Sequence, residues 1–317
     1  MSLYLVTGGA GFIGSHLVAA LVARGDRVRV LDNLITGSRD NLAELPAASV
    51  EFQHGDITDA ASARQACRGV SAVFHEAAQV SVPQSVVDPL GSYAVNVTGT
   101  LRMLEAAREA GVKRFVFAAS SAAYGNSTDL PKVETMLPTP LSPYASGKVA
   151  GEHLLSVWGN CHGLGTVSLR YFNIFGPRQA DDSPYTGVIA IFAKALLEGR
   201  QATIYGDGEQ TRDFTYIENV VAANLAAIDR DLAPGSIINV GTGQSISVNK
   251  LYRAMCERLG VACEPRYEPM RSADVLHSVA SIERAKKLLG YEPKIDWKTG
   301  LARTVDWYKA RFAGSRG

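Results

Sequence analysis

A short apolar run that leads directly into glycines restricts the possible fold more than any other feature of the chain. Leu3–Thr7 has the pattern of a β-strand, and Gly8, Gly11 and Gly14 follow it as GxxGxxG where the helical periodicity of Ile13–Val22 begins. Glycine permits a tight turn and leaves no Cβ in the path of a pyrophosphate, and the helix directs its N-terminal N–H groups at that anion. Strand, turn and helix together predict a dinucleotide site in a βαβ unit.

Strand-like runs alternate with helical segments through the first half of the chain. The further predicted strands are Arg27–Leu31, Val50–His54, Ala72–His75 and Lys113–Ala118, together with a strand ending near Arg170. Helical periodicity, as in Thr98–Ala110 and Ser142–Trp158, separates the later ones. This alternation predicts an α/β protein with a Rossmann doubly wound parallel sheet.

After residue 170 the alternation becomes irregular, which predicts a second domain. Gly and Pro cluster in Asn173–Gly187, whereas the helix-like Tyr216–Ile228 and the strand-like Ser236–Val240 indicate a return to the first domain. We predict a dinucleotide-binding Rossmann domain of residues 1–170 plus roughly 212–243. Roughly 171–211 and 244–317 would form a smaller α+β substrate-binding domain.

Composition and charge exclude several classes of function. The net charge of +1 arises from 32 basic and 31 acidic side chains, which gives no bulk attraction to nucleic acid or an anionic membrane. No apolar stretch approaches the ~20 residues that span a bilayer. Four cysteines without metal-ligand spacing favour a reducing compartment. We therefore expect a cytoplasmic protein with no metal site, no nucleic-acid partner and no membrane span.

Two aspartates follow predicted strands and suit the adenosine end of a dinucleotide. Asp32 can accept both hydroxyls of the ribose and would repel a 2′-phosphate, so it favours NAD over NADP; the alternative is a surface Asp. Asp56 can bind the adenine amino group, or it can equally cap a helix that begins after Thr58.

A tyrosine and a lysine four residues apart lie on the helix predicted for Ser142–Trp158. The i,i+4 spacing of Tyr144 and Lys148 puts both side chains on one helix face, with an ammonium group near a phenol. A neighbouring cation lowers the pKa of a phenol, ordinarily near ~10, towards that of a general base. Ser120 follows a predicted strand, at the edge where α/β folds bind ligands. These three residues form the candidate catalytic group; the alternative is a structural role for each.

Eight motifs, in chain order, carry a resemblance to a known family. They are GGAGFIGSH, the DN of Asp32-Asn33, HEAA at His75–Ala78, SSAAYG, SPYASGK, LRYFNIFGPRQ, YGDGEQTRDF and NVGTG. In these motifs nearly the whole chain resembles the extended short-chain dehydrogenase/reductase superfamily and, within it, the UDP-sugar 4-epimerases. The resemblance implies tightly bound NAD and a catalytic role for Ser120, Tyr144 and Lys148.

The reaction that the resemblance implies is reversible oxidation at C4 of a UDP-hexose. Tyr144, as phenolate, would remove the proton of the 4-hydroxyl while the C4 hydride passes to NAD⁺. The 4-keto sugar would turn over in the site and take the hydride back on its other face, with the cofactor carrying the redox chemistry.

The same resemblance implies further contacts. For the cofactor, besides the glycines and Asp32, they are Phe12, Ile13, Asn33, Asp56, Ile57, Ala77, Ala78, Tyr144 and Lys148. For the UDP-sugar, they are Ser81, Ser120, Ser121, Tyr144, Asn173, Val188, Tyr205, Arg212, Arg271, Asp274 and Ser278. The arginines would hold the diphosphate by their planar fork, and Asp274 the uridine ribose. A solvated surface role is the alternative for each Arg. Ala273 stands where the family usually has Gly.

Ser121 and Ala122 argue against relatives with other reactions. Nucleotide-sugar dehydratases of this superfamily have an acidic pair at these positions, and a methyl group cannot deliver a proton. A 4-epimerase acting on UDP-glucuronate is excluded less cleanly and stays the alternative function. An NAD-binding protein without activity is a third alternative, against which the presence of Ser120, Tyr144 and Lys148 argues.

The resemblance also bears on the sugar and on assembly. Ser278 matches a position that limits the space beside the sugar C2 substituent, and a small residue there goes with tolerance of an N-acetyl group. UDP-N-acetylglucosamine and UDP-N-acetylgalactosamine are therefore an expected pair, alone or alongside UDP-glucose and UDP-galactose; alternatively Ser278 is merely a strand residue. A homodimer through a four-helix bundle of Val97–Ala110 and Ser142–Trp158 is also implied, although a monomer could cover these apolar faces itself.

Overall fold

The computed structural model describes residues 2–180, 187–270 and 275–314. Its strands, in chain order, are β1 Leu3–Thr7, β2 Arg27–Asp32, β3 Val50–His54, β4 Ala72–His75, β5 Arg114–Ser120, β6 Gly165–Tyr171, β7 Ile174–Phe175, β8 Thr203–Tyr205, β9 Thr211–Arg212, β10 Thr215–Tyr216, β11 Ser236–Val240, β12 Ile246–Ser247 and β13 Arg266–Glu268.

The helices alternate with these strands. They are α1 Phe12–Ala23, α2 Ala60–Cys67, α3 Val82–Val87, α4 Pro89–Tyr93, α5 Thr100–Glu109, α6 Pro143–His162, α7 Val188–Leu197, α8 Ile217–Asp229, α9 Val248–Leu259, α10 Glu283–Leu289 and α11 Trp297–Gly314. Among the described residues, none of these helices combines the length and the apolar character needed to cross a membrane.

Seven strands within the described residues form one sheet, in the order β11-β6-β5-β4-β1-β2-β3, and every pair is parallel. The order reverses between β1 and β4, which is the switch point of a doubly wound sheet. The predicted Rossmann-type α/β fold is confirmed. The short strands pair outside this sheet, as β7 with β10, β9 with β12 and β8 with β13. The division into two domains stays a prediction.

The sheet is covered on both faces because successive residues of a strand point to opposite sides. Val6, Val28 and Val30 pack with apolar residues of α1 and α8 on one face. Leu5 and Leu31 pack with residues of α2, α5 and α6 on the other. A parallel sheet buried on both faces requires nearly continuous apolar runs, which is the pattern that the strand prediction used.

One helix begins later than the sequence predicts. The segment Ala94–Gly99 is a π-helical turn, and the α-helix starts only at Thr100 instead of Thr98. The hydroxyl of Thr100, directly after this turn, donates to the carbonyl of Asn96 within it over 2.8 Å. A hydroxyl that bonds to the backbone one turn back is a local alternative to regular helix geometry.

Parallel strands bring chemistry-bearing residues to one edge of the sheet. Thr7, Asp32, His75, Ser120 and Tyr171 are the last residues of five of the strands and therefore share the carboxyl edge. Ligands of open α/β sheets bind at this edge.

Candidate functional site

The glycine turn connects β1 to α1 and has no space for side chains. Gly8 has φ +66°, and a Cβ there would lie 2.8 Å from the backbone N of Ala77. A Cβ at Gly14 would lie 2.2 Å from the carbonyl oxygen of Gly8. Gly11 is the N-cap of α1 and supplies no side-chain cap, and Phe12 begins the helix with no acidic residue in its first turn. A helix end of this kind can donate to an anion.

Asp32 is held firmly at the end of β2. Its Oδ2 accepts from the backbone N–H of Ala10 over 2.9 Å, and its Oδ1 from that of Leu34 over 2.8 Å. The side chain is only 7% exposed. A carboxylate has about four acceptor positions, so two remain for the hydroxyls of a ribose. The residues of the turn and Asp32 thus fit a dinucleotide without a 2′-phosphate.

Asp56 does not cap a helix, so one of the two roles predicted for it, that of a helix cap, is wrong. The N-cap of α2 is Asp59, which accepts from the N–H groups of Ala61 and Ser62. Asp56 instead accepts from the side-chain amide of Asn33 over 2.7 Å and from both donors of Thr58. Burial tends to raise the pKa of Asp56, but these donors outweigh it and leave that pKa below its ordinary value.

The other predicted cofactor residues lie along the same edge. Ala77 N donates to the Thr7 hydroxyl over 3.2 Å, and Ala78 follows it directly after β4. Ile57 is buried after β3, and Ile13 is the second residue of α1.

Ser120, Tyr144 and Lys148 meet at the carboxyl end of β5. Ser120 ends this strand, and its hydroxyl lies close enough to the Tyr144 phenol to lower the pKa of that phenol. Lys148 Nζ donates to the carbonyl of Ala118 over 2.7 Å and lies 5.9 Å from the centroid of the Tyr144 ring. Helix α6 carries both residues close to β5, since the absence of a side chain at Gly151 leaves room for the ring of Phe117, 2.5 Å from where a Cβ would lie.

Burial dominates the protonation of this group. It raises the pKa of Tyr144, and the nearby Ser120 hydroxyl opposes this effect. It lowers the pKa of Lys148 to about 8, although the charges of Glu76 and Glu152 act in the opposite direction. A lysine pKa near neutrality marks a strongly perturbed group, as is common at functional sites.

Glu76 was not predicted, although it lies inside the motif HEAA. Its Oε1 accepts from the Tyr171 hydroxyl over 2.8 Å, and burial raises its pKa to about 7 against the effects of Tyr171 and Lys148. The signal in the sequence was an acidic residue directly after the four residues of β4, all of which are buried. The neighbouring His75 bonds to the hydroxyls of Thr7 and Thr100, 2.9 and 3.1 Å away.

Asn173 and Val188, both predicted to contact the substrate, line one cavity of about 80 Å³ together with Phe175, Gln179 and Phe214. The Asn173 side-chain amide donates to the carbonyl of Asp213 over 3.3 Å. Asn173 has φ +32°, a conformation that few residues other than Gly and Asn adopt.

Arg212 and Ser278 are brought together by Thr211. Ser278 N donates to the carbonyl of Thr211 over 3.1 Å, and Arg212 donates to the carbonyls of Thr211 and Leu276 over 2.9 and 3.2 Å. Ser278 is half-buried. A cleft of about 240 Å³ adjoins the residues that precede it, lined by Asn126, Ser127, Thr128, Val275, Leu276 and His277.

The remaining substrate candidates are less closely connected. Tyr205 ends β8, and its carbonyl accepts from Gln210 over 2.7 Å. Ser81 caps α3 by accepting from Gln84 N over 3.0 Å, and Ser121 begins the turn after Ser120. Arg271 and Asp274 lie outside the described residues.

Asp213 was also missed, although it lies in the motif QTRDF. It is fully buried, and its carboxylate accepts from the N–H and hydroxyl of Thr242, from Gly243 N and from Ala280 N, over 2.6 to 3.1 Å. This group of four residues, the Asp213 centre, joins β9, the loop after β11 and the segment of Ser278. The signal in the sequence was an acidic residue directly before the aromatic Phe214.

The assembled site can bind a dinucleotide along the glycine turn and handle a proton at Tyr144. Within the described parts of the chain, no group of three or more His, Cys, Asp or Glu side chains could hold a metal ion.

Comparison with known proteins identifies the family. The family model of the NAD dependent epimerase/dehydratase family matches residues 4–241. The UDP-glucose 4-epimerase of Mycolicibacterium smegmatis is 41% identical over 308 residues, which cover 96% of this chain and 98% of that protein.

Two solved structures are similar over almost the whole length. The UDP-N-acetylglucosamine 4-epimerase of Methanobrevibacter ruminantium, in complex with UDP-N-acetylmuramic acid, is 36% identical with a TM-score of 0.94, covering 98% of this chain and 99% of that one. The UDP-glucose 4-epimerase of Thermus thermophilus, in complex with NAD, is 42% identical with a TM-score of 0.88, covering 97% and 99%. The resemblance seen in the motifs is thereby confirmed, and the chain belongs to the NAD dependent epimerase/dehydratase family of enzymes.

Proposed function

We propose that the protein catalyses NAD-dependent C4 epimerisation of a UDP-hexose through a transient 4-keto sugar. The observation that carries this proposal is the meeting of Ser120, Tyr144 and Lys148 at the sheet edge that also bears the glycine turn and Asp32. Membership of the NAD dependent family and relatives named UDP-sugar 4-epimerases support it.

Each residue of the catalytic group has a distinct task in this proposal. Tyr144 accepts the proton of the sugar 4-hydroxyl and returns it after the sugar has turned over. Ser120 bridges the Tyr144 oxygen and the substrate alcohol, and the Lys148 cation stabilises the phenolate. NAD, when bound along the glycine turn, supplies a hydride acceptor and donor for C4.

Binding at the nucleotide end would hold the substrate while its sugar moves. Asn173 and Val188, which line one cavity, and Arg212 are the candidates for this end. Fixing one end of a ligand while the reacting end changes its orientation uses binding energy for positioning.

We infer that N-acetylated UDP-hexoses are accepted, with UDP-glucose and UDP-galactose as further substrates. Two observations support the presence of space for a C2 substituent. Ser278 is half-buried, and the three residues before it line a cleft of about 240 Å³. One similar structure is a UDP-N-acetylglucosamine 4-epimerase and another is a UDP-glucose 4-epimerase.

The test is incubation of the purified protein with UDP-N-acetylglucosamine, UDP-glucose and UDP-glucuronate separately, with the products resolved by anion-exchange chromatography. A C4 epimer of the first substrate is the expected result. Conversion of UDP-glucose alone would refute the inference from Ser278, and conversion of UDP-glucuronate alone would replace the hexose assignment. No conversion of any of them, with NAD bound, would refute the epimerase proposal.

We also propose a homodimer through α5 and α6. Val157 on α6 is 48% exposed, and Leu90 on α4, which packs against α6, is 82% exposed, so apolar surface is present on this side. Light scattering after size-exclusion chromatography would give twice the chain mass if the proposal is right.

A further inference from the structure

Two chain segments of different chemistry line the cleft of about 240 Å³. The polar segment 126–128 consists of Asn126, Ser127 and Thr128, and the segment 275–277 consists of Val275, Leu276 and His277. The first carries an amide and two hydroxyl groups, whereas the second carries two apolar side chains beside an imidazole. A small group that has one polar and one apolar side fits a cleft with such a lining.

A buried lysine holds the loop of the polar segment. Lys132 is only 1% exposed, although a lysine is almost never fully buried without partners. Its Nζ donates to the carbonyl oxygen of Ser127 and, over 2.9 Å, to that of Asp129. Two further bonds of this loop are longer, at 3.3 Å from Ser127 N to the carbonyl of Tyr124 and 3.3 Å from Asp129 N to the Ser127 hydroxyl. Bonds to the carbonyls offset the burial of the ammonium group only while the loop keeps this shape.

The backbone of the same lysine pairs with the continuation of the other segment. Lys132 N donates to the carbonyl of Val279 over 2.8 Å, and the Lys132 carbonyl accepts from Ser281 N over 2.8 Å. Lys132 thus forms a parallel bridge with Ala280. Val279 follows Ser278 directly, so one residue binds the polar segment through its side chain and the chain after Ser278 through its backbone.

Asn239 connects this arrangement to the catalytic edge. Its Nδ2 donates to the Lys132 carbonyl over 2.9 Å, and its Oδ1 accepts from the Tyr124 hydroxyl over 2.7 Å. Both Asn239 and Tyr124 are buried. Tyr124 ends the turn Ser121–Tyr124 that directly follows Ser120. Hydrogen bonds therefore fix the position of the cleft relative to the turn that begins after Ser120.

We propose that this cleft receives the C2 acetamido group of the sugar, and that Lys132 is a positioning residue that determines the preference for N-acetylated over plain UDP-hexoses. The amide of the acetamido group bonds to side chains of the polar segment, and its methyl group packs against Val275 and Leu276. Lys132 acts through the loop that it holds and does not touch the substrate. The inference rests on the proposed function for the identity of the substrate, and it involves no covalent step.

The test removes the ammonium group without emptying its site. Lys132→Met keeps an unbranched side chain of similar length but cannot donate to the carbonyls of Ser127 and Asp129. The kcat/KM for UDP-N-acetylglucosamine should fall about tenfold, while that for UDP-glucose changes less than about twofold. The NAD content should stay the same. Lys113→Met, which changes an exposed lysine beside the sheet, is the matched control and should alter neither value.

The difference between the two substrates separates positioning from general stability. A lysine that only stabilises the fold would affect both substrates alike, so equal losses for both, or no loss for either, would overturn the inference. Should Lys132→Met not fold, Lys132→Gln retains an NH₂ donor on a shorter side chain and should give a smaller fall of the same ratio. An unchanged ratio in that variant would be equally decisive against the proposal.

A second measurement follows binding instead of turnover. Amide hydrogen exchange of residues 126–129 is compared in the wild type with UDP, with UDP-glucose and with UDP-N-acetylglucosamine, each at saturation. Only the N-acetylated ligand should slow this exchange beyond the effect of UDP, and in Lys132→Met that extra protection should be lost. Equal exchange with both sugars would overturn the inference. A wild type that converts neither sugar would refute the proposed function, whereas the exchange would still decide whether the cleft takes the acetamido group.

Discussion

The glycine turn between β1 and α1 and the Asp213 centre both position parts of the candidate site, but by opposite means. In the turn, the backbone closes on itself because side chains are absent, with a Cβ at Gly14 excluded by the carbonyl of Gly8 2.2 Å away. In the Asp213 centre, one buried side chain collects donors from Thr242, Gly243 and Ala280, all of them distant from it in the sequence.

The difference concerns which changes each region tolerates. The tightest contact of the turn, between Gly14 and Gly8, joins sequence neighbours, and the loops after β2 and β4 pack against it through Asp32 and Ala77. The Asp213 centre joins separate segments, among them those that carry Arg212 and Ser278. Loss of its single carboxylate should therefore loosen the contacts between these segments. Substitutions in the turn should therefore lower the affinity for NAD, and substitutions in the Asp213 centre should lower the affinity for the UDP-sugar.

The largest effect is expected at Tyr144, on whose function both regions converge. Tyr144→Phe removes the hydroxyl that exchanges the substrate proton, so kcat should fall about 10²- to 10⁴-fold while the fold and bound NAD are retained. Product chromatography and the NAD content of the purified variant measure this. Tyr93→Phe, a partly exposed tyrosine that donates to Ser146, is the control and should keep its activity. Near-normal turnover of Tyr144→Phe would refute the mechanism.

The next largest effect is expected in the glycine turn, and it tests whether the turn affects NAD binding without affecting UDP binding. Gly14→Ala places a methyl group against backbone that cannot move aside freely, which should cost about 3 kcal/mol of unfolding free energy and reduce NAD affinity. Calorimetric titration should show that UDP binding persists. Gly163→Ala, at a helix C-terminus with φ +68° and open space around it, should cost about 1 kcal/mol and leave NAD binding unchanged. Equal losses of NAD and UDP binding in Gly14→Ala would remove the distinction between the two regions.

Asp213→Asn is the converse experiment. It replaces an acceptor by an NH₂ group that faces the N–H groups of the centre, and about 2 kcal/mol of unfolding free energy should be lost. Denaturant titration measures this loss. UDP affinity should fall while NAD affinity is kept. The exposed Asp207, which accepts from Glu209 N, offers the control variant Asp207→Asn, expected to change stability by less than about 0.5 kcal/mol. An unchanged UDP affinity in Asp213→Asn would contradict the role of the centre.

The smallest expected effect is a change in substrate preference. Ser278→Tyr fills space beside the predicted C2 substituent, so the ratio of kcat/KM for UDP-N-acetylglucosamine over UDP-glucose should fall about tenfold. Competition between the two substrates measures the ratio directly, and Ser127→Tyr, which changes a residue that lines the adjoining cleft, is a comparison variant. A ratio that does not change in Ser278→Tyr would refute the role of Ser278 in substrate preference.

Local backbone geometry made part of the site predictable. Gly8, Gly14 and Asp32 follow from one strand, one turn and the end of the next strand, so the sequence pattern indicates their positions directly. Ser120 was predicted at the carboxyl edge because it follows a strand, with Tyr144 on the helix Ser142–Trp158 near it, and the effect of the Ser120 hydroxyl on the Tyr144 pKa agrees with this.

Long-range pairing was not predictable in the same way. Nothing in the spacing of the chain indicates that Glu76 accepts from Tyr171, or that Asp213 binds Ala280, because these contacts depend on how distant segments pack. The helix-cap alternative for Asp56 failed for a smaller reason, since α2 begins at Ala60 and Asp59 is the residue in position to cap it. These contacts between distant segments are thus the ones that the motifs did not specify.

The position of β11 beside β6 has a consequence for synthesis on the ribosome. Until Val240 has been added, β6 is an edge strand with unpaired N–H and C=O groups, and the Tyr124 hydroxyl lacks Asn239, to which it donates over 2.7 Å. A nascent chain that ends before Ser236 already contains the glycine turn and all three catalytic candidates. It would nevertheless leave β6 as the edge strand of the sheet, so the pairing of the strand next to Ser120 is completed only by β11, which carries none of these residues.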